Sequence, residues 1–186
     1  RDYAAGDITT EECAELLKSI NDAFADENLY FHTGTGYRHC MLLKKDHPHA
    51  HTEYKCVPPH DILDRHAREY LPKGKSADFL IDMMRKSYDI LKDHPINKAR
   101  AAKGLNPANS LWIWGQGTRP ELPNFNEKFG VKATVISAVD LIRGIGIFAG
   151  MHIVDVEGAD GTINTNYEGK VAKAIEEYER GQDMIY

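Results

Sequence analysis

The sequence has no long apolar run of the kind that crosses a membrane. No stretch approaches the roughly 20 consecutive apolar residues that a span requires, and the opening residues Arg1-Asp2-Tyr3 carry neither an apolar signal region nor an initiator methionine. Cysteine is also scarce. Cys13, Cys40 and Cys56 are odd in number and lack the close spacing of a metal site, which is typical of a reducing compartment. We therefore expect a cytoplasmic chain with no membrane contact, cut from something longer.

A basic stripe is absent as well. Lysine and arginine number 23 against 28 aspartates and glutamates, which gives a formal net charge of −5. Binding to a phosphate backbone needs clustered positive charge, so we expect no nucleic-acid partner. A small anion needs only a few well-placed cations and stays possible. The 186 residues are 42% apolar and 27% charged, which is ordinary for a globular protein of one large domain or two unequal ones.

The first part of the chain combines helical patterns with two short strands joined by a turn. A capping box, Thr9 to Glu12, precedes apolar residues at helical spacing, and this pattern predicts a helix over 10–24. Two short apolar runs flank a glycine-containing turn, which is typical of paired strands. The predicted elements are strands at 29–31 and 37–43, a loop over 45–60, a helix that begins after Ser76 and ends near His94-Pro95, and a helix over 97–103.

The second part alternates strands with helices, which indicates β-α-β units on a parallel sheet. The predicted strands are 111–114, 131–137, 152–156 and 183–186, and the predicted helices are 138–149 and 165–180. The change of pattern places a soft domain boundary near residue 108, with one domain over 1–108 and a second over 109–186. The expected fold class is α/β.

Arg38 and His39 come just after the glycine-containing turn at 34–36, with Tyr37 between. One interpretation is a clamp for a phosphate or carboxylate, in which the guanidinium supplies paired donors and the imidazole a further one. The other is a hairpin turn followed by an alternating strand, with Arg38 facing solvent. Spacing alone leaves both open.

His60 and Asp61 follow two prolines, Pro58 and Pro59, whose fixed φ angles hold neighbouring polar groups rigidly. These two side chains are therefore candidates for a binding site. Asp61 is equally well placed to cap a short helix over 62–70, and that alternative also stays open.

Other polar patterns are weaker. The alternate histidines His47, His49 and His51 face one side of an extended segment, but no carboxylate or cysteine pattern completes a metal site, which favours a solvated loop. Asp140 and Arg143 are three residues apart after a predicted strand, where they either contact a ligand or form an ion pair with each other. No Ser-His-Asp set or metal-ligand cluster is present, so we predict no catalytic residue and no metal ligand in this chain.

A set of short motifs along the whole chain resembles the cofactor-independent phosphoglycerate mutases of the archaeal type. Each motif is weak alone, but their ordered occurrence is specific. In order they are Asp2-Tyr3-Ala4-Ala5-Gly6, Ile8-Thr9-Thr10-Glu11-Glu12, Gly36-Tyr37-Arg38-His39, Pro58-Pro59-His60-Asp61, Asn97-x-x-Arg100, Gly104, Pro107-Ala108-Asn109, Trp112-x-Trp114-Gly115-Gln116-Gly117, Ser137-Ala138-Val139-Asp140-Leu141-Ile142-Arg143-Gly144-Ile145-Gly146 and Thr165-Asn166-Tyr167.

The resemblance implies membership of the alkaline-phosphatase-like metalloenzymes. It implies an inserted α+β substrate domain over 1–108, followed over 109–186 by β-α-β units of an alkaline-phosphatase-like parallel sheet. The nucleophile and the metal ligands of such an enzyme would lie before Arg1 and after Tyr186, so the missing catalytic core of the same polypeptide is the expected partner. The full-length enzyme would use a divalent metal, Mn²⁺, Mg²⁺ or Zn²⁺.

The implied reaction interconverts 3-phosphoglycerate and 2-phosphoglycerate through a metal-dependent phosphoenzyme. This chain would bind and orient the phosphorylated glycerate and be inactive alone. The substrate-binding residues carried over are Arg38, His39, His60, Asp61 and Arg143. Arg100 is expected either to contact the substrate or to brace its neighbours. Two alternatives differ in class or substrate: a stand-alone module that binds small anions, and a related phosphotransferase acting on another substrate.

Overall fold

The computed structural model describes residues 2–50 and 53–186, which divide into two compact units. The first unit ends at Gly117 and the second spans Thr118–Tyr186. The sequence pattern placed the boundary earlier, near 108. Residues 109–117 belong with the first unit because Leu111 and Ile113 pack against its core and Gln116 Nε2 donates to Tyr54 O at 2.6 Å.

In its described residues the first unit has three α-helices, a hairpin and a small second pair of strands. The helices are α1 (Thr10–Phe24), α2 (Ala77–Leu91) and α3 (Pro95–Ala102), and the strands are β1 (Leu29–Thr33), β2 (His39–Leu43), β3 (Tyr54–Lys55) and β4 (Lys73–Gly74). β1 pairs with β2 and β3 with β4, both antiparallel. Short 3₁₀ turns cover Pro59–Ile62 and Ala67–Tyr70.

Helix α1 confirms the predicted capping box. The Glu12 amide donates to Thr9 Oγ1 at 3.2 Å, and the Thr9 amide donates to Glu12 Oε2 at 3.4 Å, so both ends of the box satisfy backbone donors at the start of the helix. The apolar face that follows is buried through Leu16, Leu17 and Ile20. It packs with residues of the hairpin and of α2 to form the core of the unit.

The second unit contains a parallel sheet whose strand order is β6-β5-β7. Its strands are β5 (Ala133–Ile136), β6 (His152–Val154) and β7 (Met184–Ile185), and its helices are α4 (Phe125–Phe129), α5 (Asp140–Phe148) and α6 (Tyr167–Glu179). β5 pairs in parallel with both neighbours, which confirms the predicted β-α-β units. The mixed α/β class is also confirmed.

The predicted strand over 111–114 is wrong. The alternation of Leu111 and Ile113 marks side chains that pack on the core of the first unit, not a hydrogen-bonded ladder. The Leu111 amide donates to Ser87 Oγ on α2 at 2.9 Å, so its backbone donor is satisfied by a helix side chain. Among the described residues, no helix is both long enough and apolar enough to cross a bilayer.

Candidate anion-binding site

Arg38 ends the loop that joins the two strands of the hairpin. Gly36 has a φ of +60°, which glycine adopts without strain, and its amide donates to Thr10 Oγ1 at 2.9 Å. The Arg38 guanidinium carbon lies 4.2 Å from the centroid of the Tyr37 ring, and Nη2 donates to the Tyr37 hydroxyl at 2.6 Å. Both predicted interpretations are thus compatible with what is seen: a hairpin loop carries an exposed arginine, and the ring beneath it limits the directions in which its donors point.

His39 begins β2 and is half-buried. Its Nδ1 accepts a hydrogen bond from the Gly34 amide at 3.3 Å. Burial lowers the pKa of the His39 imidazole below its usual range, so the ring is neutral at neutral pH. Because Nδ1 accepts, the proton of the neutral ring sits on Nε2, which is the donor left for a ligand.

His60 lies in the 3₁₀ turn Pro59–Ile62, and the buried Ile62 anchors that turn. The His60 side chain is 48% exposed, and its Nε2 lies 3.6 Å from Asp61 Oδ1. The alternative in which Asp61 caps a helix over 62–70 is wrong, because Asp61 lies inside the turn and the later turn at Ala67–Tyr70 has no side-chain cap. A carboxylate repels an anion, so Asp61 is suited to pairing with His60 or to accepting from a ligand hydroxyl.

Tyr3 brings the two predicted segments together. Its ring lies 5.5 Å from the Tyr37 ring and 6.1 Å from the His60 ring, centroid to centroid, with edge-to-face geometry in both pairs. On another side, Trp114 lies 5.3 Å from His60, also edge to face. We call Tyr3, Tyr37, His60 and Trp114 the aromatic cluster. It places the Arg38 loop and the His60 turn on one connected surface of the first unit.

Burial raises the pKa of the Tyr37 hydroxyl, with smaller opposing and reinforcing effects from Arg38 and from neighbouring Tyr3, Asp7 and Asp2. Tyr37 therefore stays protonated at neutral pH. The neutral Tyr37 hydroxyl accepts a hydrogen bond from the Arg38 guanidinium. Because the hydroxyl carries no negative charge, the positive charge of Arg38 remains available for an anion.

Arg100 is buried and braces its neighbours, which is one of its two predicted roles. It is 3% exposed, and its guanidinium donates to Ala5 O at 2.6 Å, to Asn106 O at 2.9 Å and to the Glu12 carboxylate. Asn106 Nδ2 in turn donates to Asp2 Oδ2 at 2.8 Å, and this bond is the main cause that lowers the pKa of Asp2. We call Asp2, Glu12, Arg100 and Asn106 the brace.

Arg143 lies in the second unit, at the carboxyl ends of two strands. Its Nη1 donates to Asp155 Oδ1 at 2.5 Å and to Ser137 O at 3.5 Å, and these residues come just after β6 and β5. The ion pair shown for Arg143 is therefore with Asp155. This edge of a parallel sheet is where ligands are commonly bound.

The residues described here supply no group of three histidine, cysteine, aspartate or glutamate side chains that could hold a metal ion. His47 and His49 pack on the Phe79 ring at 5.3 and 4.2 Å, while His51 lies outside the described residues. The described side chains therefore do not fit a divalent metal.

Residues far apart in sequence form this site. Two of them, Tyr3 and Trp114, are not among the predicted site residues. Nothing in the local spacing of Tyr3 or Trp114 indicates that each lies beside His60. The fold and the cluster define a mixed α/β protein that presents an arginine and a histidine on an aromatic surface.

Residues 1–97 match the family model described as 2,3-bisphosphoglycerate-independent phosphoglycerate mutase, and the chain belongs to that family. Relatives that carry this name are 47% identical over 186 residues in Methanosarcina barkeri and 45% identical over 185 residues in Methanothrix thermoacetophila. Each alignment covers 100% of this chain but only 46% and 45% of the relative. The chain thus spans about half the length of the curated relatives it matches.

Solved structures agree with this fold. A protein from Pyrococcus horikoshii is 28% identical with a TM-score of 0.64, and the match covers 97% of this chain and 42% of that one. A cofactor-independent phosphoglycerate mutase from Thermoplasma acidophilum is 23% identical with a TM-score of 0.52 and coverages of 97% and 48%. The second likeness bears on the fold alone.

Proposed function

We propose that this chain is the substrate-binding and substrate-orienting part of a phosphoglycerate mutase that interconverts 3-phosphoglycerate and 2-phosphoglycerate. The observation that carries the proposal is 47% identity, across all 186 residues, to a relative named for that activity. Arg38 and His60 support it, because Tyr3 connects their segments into one exposed surface that can present donors to an anion.

In this proposal Arg38 and His60 contact the anionic groups of the phosphorylated glycerate. Arg38 offers charge-assisted donors, and its position above Tyr37 limits the entropy lost on binding. His39 contributes a neutral Nε2 donor. Asp61 orients His60 or accepts from a substrate hydroxyl. Arg143 is a separate candidate contact, held by Asp155 at the edge of the parallel sheet.

We also propose that phosphoryl transfer itself depends on the part of the polypeptide that the longer relatives have in addition. A divalent metal, Mn²⁺, Mg²⁺ or Zn²⁺, would there stabilise charge on the transferred group. Binding by the present chain would lower the cost of bringing the glycerate into a reactive orientation. The proposed location is the cytoplasm, which suits the three cysteines that are free thiols.

Calorimetric titration of the chain with 3-phosphoglycerate and, separately, with sulfate tests this function. We expect saturable binding of 3-phosphoglycerate that is stronger than binding of sulfate, because the substrate offers a carboxylate and a hydroxyl besides the phosphoryl group. Equal binding of both would contradict the proposal and favour a general module for small anions. No binding of either would contradict both functions.

A turnover assay completes the test. The chain is incubated with 3-phosphoglycerate and each of the three metals, and formation of 2-phosphoglycerate is followed. We expect no product above background, because the described residues supply no metal site. Product formation that survives repurification of the chain would contradict the assignment of this chain to binding alone.

A further inference from the structure

We propose that Tyr3 and Trp114 are positioning residues for His60: their rings hold its imidazole on the surface that also carries Arg38. The inference deepens the proposed function and rests on it for the identity of the ligand. It adds that the aromatic side chains, and not only the polar ones, determine the strength of binding. Neither ring has to touch the ligand for this effect.

The contacts of His60 show why its ring needs support. The side chain is 48% exposed, and Asp61 Oδ1 lies 3.6 Å from its Nε2. That distance is too long for a strong hydrogen bond and does not by itself select one ring orientation. Tyr3 and Trp114 meet the imidazole edge to face, at interplanar angles of 70° and 79°. Such pairs are favourable and directional, so together they restrict the rotation of the imidazole.

Trp114 is held in place although it lies outside any helix or strand. Trp112 Nε1, two residues before it, donates to Val57 O at 2.8 Å. Gln116 Nε2, two residues after it, donates to Tyr54 O at 2.6 Å. Both acceptors lie in the segment that leads into the His60 turn. The backbone of Trp114 is therefore tied on both sides to the segment whose histidine it contacts.

Tyr3 is held by the brace. Asp2 accepts hydrogen bonds from the Ala4 amide at 2.9 Å and from Asn106 Nδ2 at 2.8 Å, and Arg100 Nη2 donates to Ala5 O at 2.6 Å. The backbone on both sides of Tyr3 is thus anchored. Because the same tyrosine ring also meets Tyr37, on which Arg38 rests, it sets the position of His60 relative to the arginine.

The first experiment uses the chain without ligand. The ring-proton signals of His60, assigned by their loss in His60→Ala, are recorded by NMR in Trp114→Leu and Trp114→Phe. We expect the leucine variant to shift these signals strongly, because the indole ring current is lost. The phenylalanine variant keeps an aromatic neighbour and is expected to shift them less. Tyr88→Leu, an exposed tyrosine on α2 that is 48% exposed against 45% for Trp114, is the matched control and should leave them unchanged.

The second experiment repeats the calorimetric titration with 3-phosphoglycerate. We expect Trp114→Leu and Tyr3→Leu to weaken binding by roughly three- to tenfold, and Trp114→Phe and Tyr3→Phe to restore most of it. Thermal melts confirm that each variant is folded.

Two results would overturn the positioning role: His60 signals that do not move in Trp114→Leu, or binding within about twofold of the parent in both folded leucine variants. A parent chain that does not bind 3-phosphoglycerate would instead overturn the proposed function. The NMR comparison would still decide whether the Trp114 ring lies against His60.

Discussion

The brace and the aromatic cluster lie next to each other in the first unit, but the arginines associated with them differ in their surroundings. Arg100 is part of the brace, whereas Arg38 packs on the aromatic cluster. Arg100 is buried, and its donors are directed at two carbonyl groups and a carboxylate of the protein itself. Arg38 is exposed and lies on a tyrosine ring. A buried guanidinium with protein acceptors stabilises a fold, whereas an exposed and oriented one is available to a ligand. The comparison indicates that the burial and the neighbours of an arginine are a better guide to its role than the motif in which it occurs.

The largest expected effect is on stability when the brace is broken. Arg100→Ala leaves the Ala5 and Asn106 carbonyls and the Glu12 carboxylate without their shared donor. We expect a loss of about 3–5 kcal/mol in the free energy of unfolding, as for other broken buried ion pairs. Thermal melts followed by circular dichroism measure it. Arg85→Ala, at an exposed position of α2, is the control and should change little. An Arg100→Ala melt that matches this control would show that the brace is not stabilising.

The next largest effect is on binding when the exposed arginine is removed. Arg38→Ala deletes the charge-assisted contact that we propose for the ligand, and we expect 3-phosphoglycerate to bind roughly tenfold to a hundredfold more weakly, which corresponds to about 1.5–3 kcal/mol. The free energy of unfolding should stay within about 0.5 kcal/mol of the parent because the side chain is solvent-exposed. Calorimetry and melts on the same samples separate the two quantities. Unchanged binding with a clearly lowered melting temperature would make Arg38 a structural residue.

Acid is expected to weaken the hairpin, through His39, and the brace, through Asp2, in different pH ranges. The pKa of His39 is lowered in the folded state by burial, so the unfolded chain binds more protons and stability falls as the pH drops below the ordinary histidine value of about 6.5. The pKa of Asp2 is lowered chiefly by its bond from Asn106, so its contribution is lost only as the pH falls below the ordinary carboxyl range. Unfolding by urea at a series of pH values measures both.

Two variants assign these pH steps. His39→Gln should remove the decrease near the histidine range, and Asn106→Ala should diminish the one at lower pH. An unchanged pH profile in His39→Gln would contradict the lowering of the His39 pKa by burial.

The smallest effect concerns thiol reactivity and leaves stability untouched. Cys13 lies on the buried face of α1, close to the brace, and burial raises its pKa to about 11. Cys40 is exposed on β2. Because the thiolate is the reactive form, a thiol reagent should modify Cys40 first and Cys13 last in the native chain. Mass spectrometry of timed samples reads the order, and rapid modification of Cys13 would show that the core around α1 opens readily.

Local patterns predicted the elements better than the contacts between them. The capping box at Thr9 and Glu12 predicted α1 because it depends on residues three apart. The alternation of strands and helices after residue 130 correctly predicted parallel pairing, because this alternation is also visible in short stretches of sequence. The apolar alternation at 111–114 wrongly predicted a strand. Over so short a stretch, a strand and an irregular segment packed on a core show the same alternation of apolar residues.

The site was predictable in part. Turn chemistry and paired prolines pointed to Arg38 and His60, because a rigid loop that ends in a polar side chain is a local feature. Their connection through Tyr3, and the approach of Trp114, depend on contacts between residues far apart in sequence. Arg100 remained ambiguous for the same reason, since its acceptors at Ala5 and Glu12 lie nearly a whole unit away along the chain.

The most direct test of the anion site is to observe where the ligand binds. Titration of the isotopically labelled chain with 3-phosphoglycerate, followed by NMR, records the side-chain signals of Arg38 Nε–H, the His60 ring and Trp114 Nε1–H in one experiment. We predict saturable shifts at all three, with the buried Arg100 Nε–H little changed because it already donates to Asn106 O. Shifts confined to residues outside the aromatic cluster, or equal shifts at Arg100 and Arg38, would contradict the assignment of this surface to the substrate.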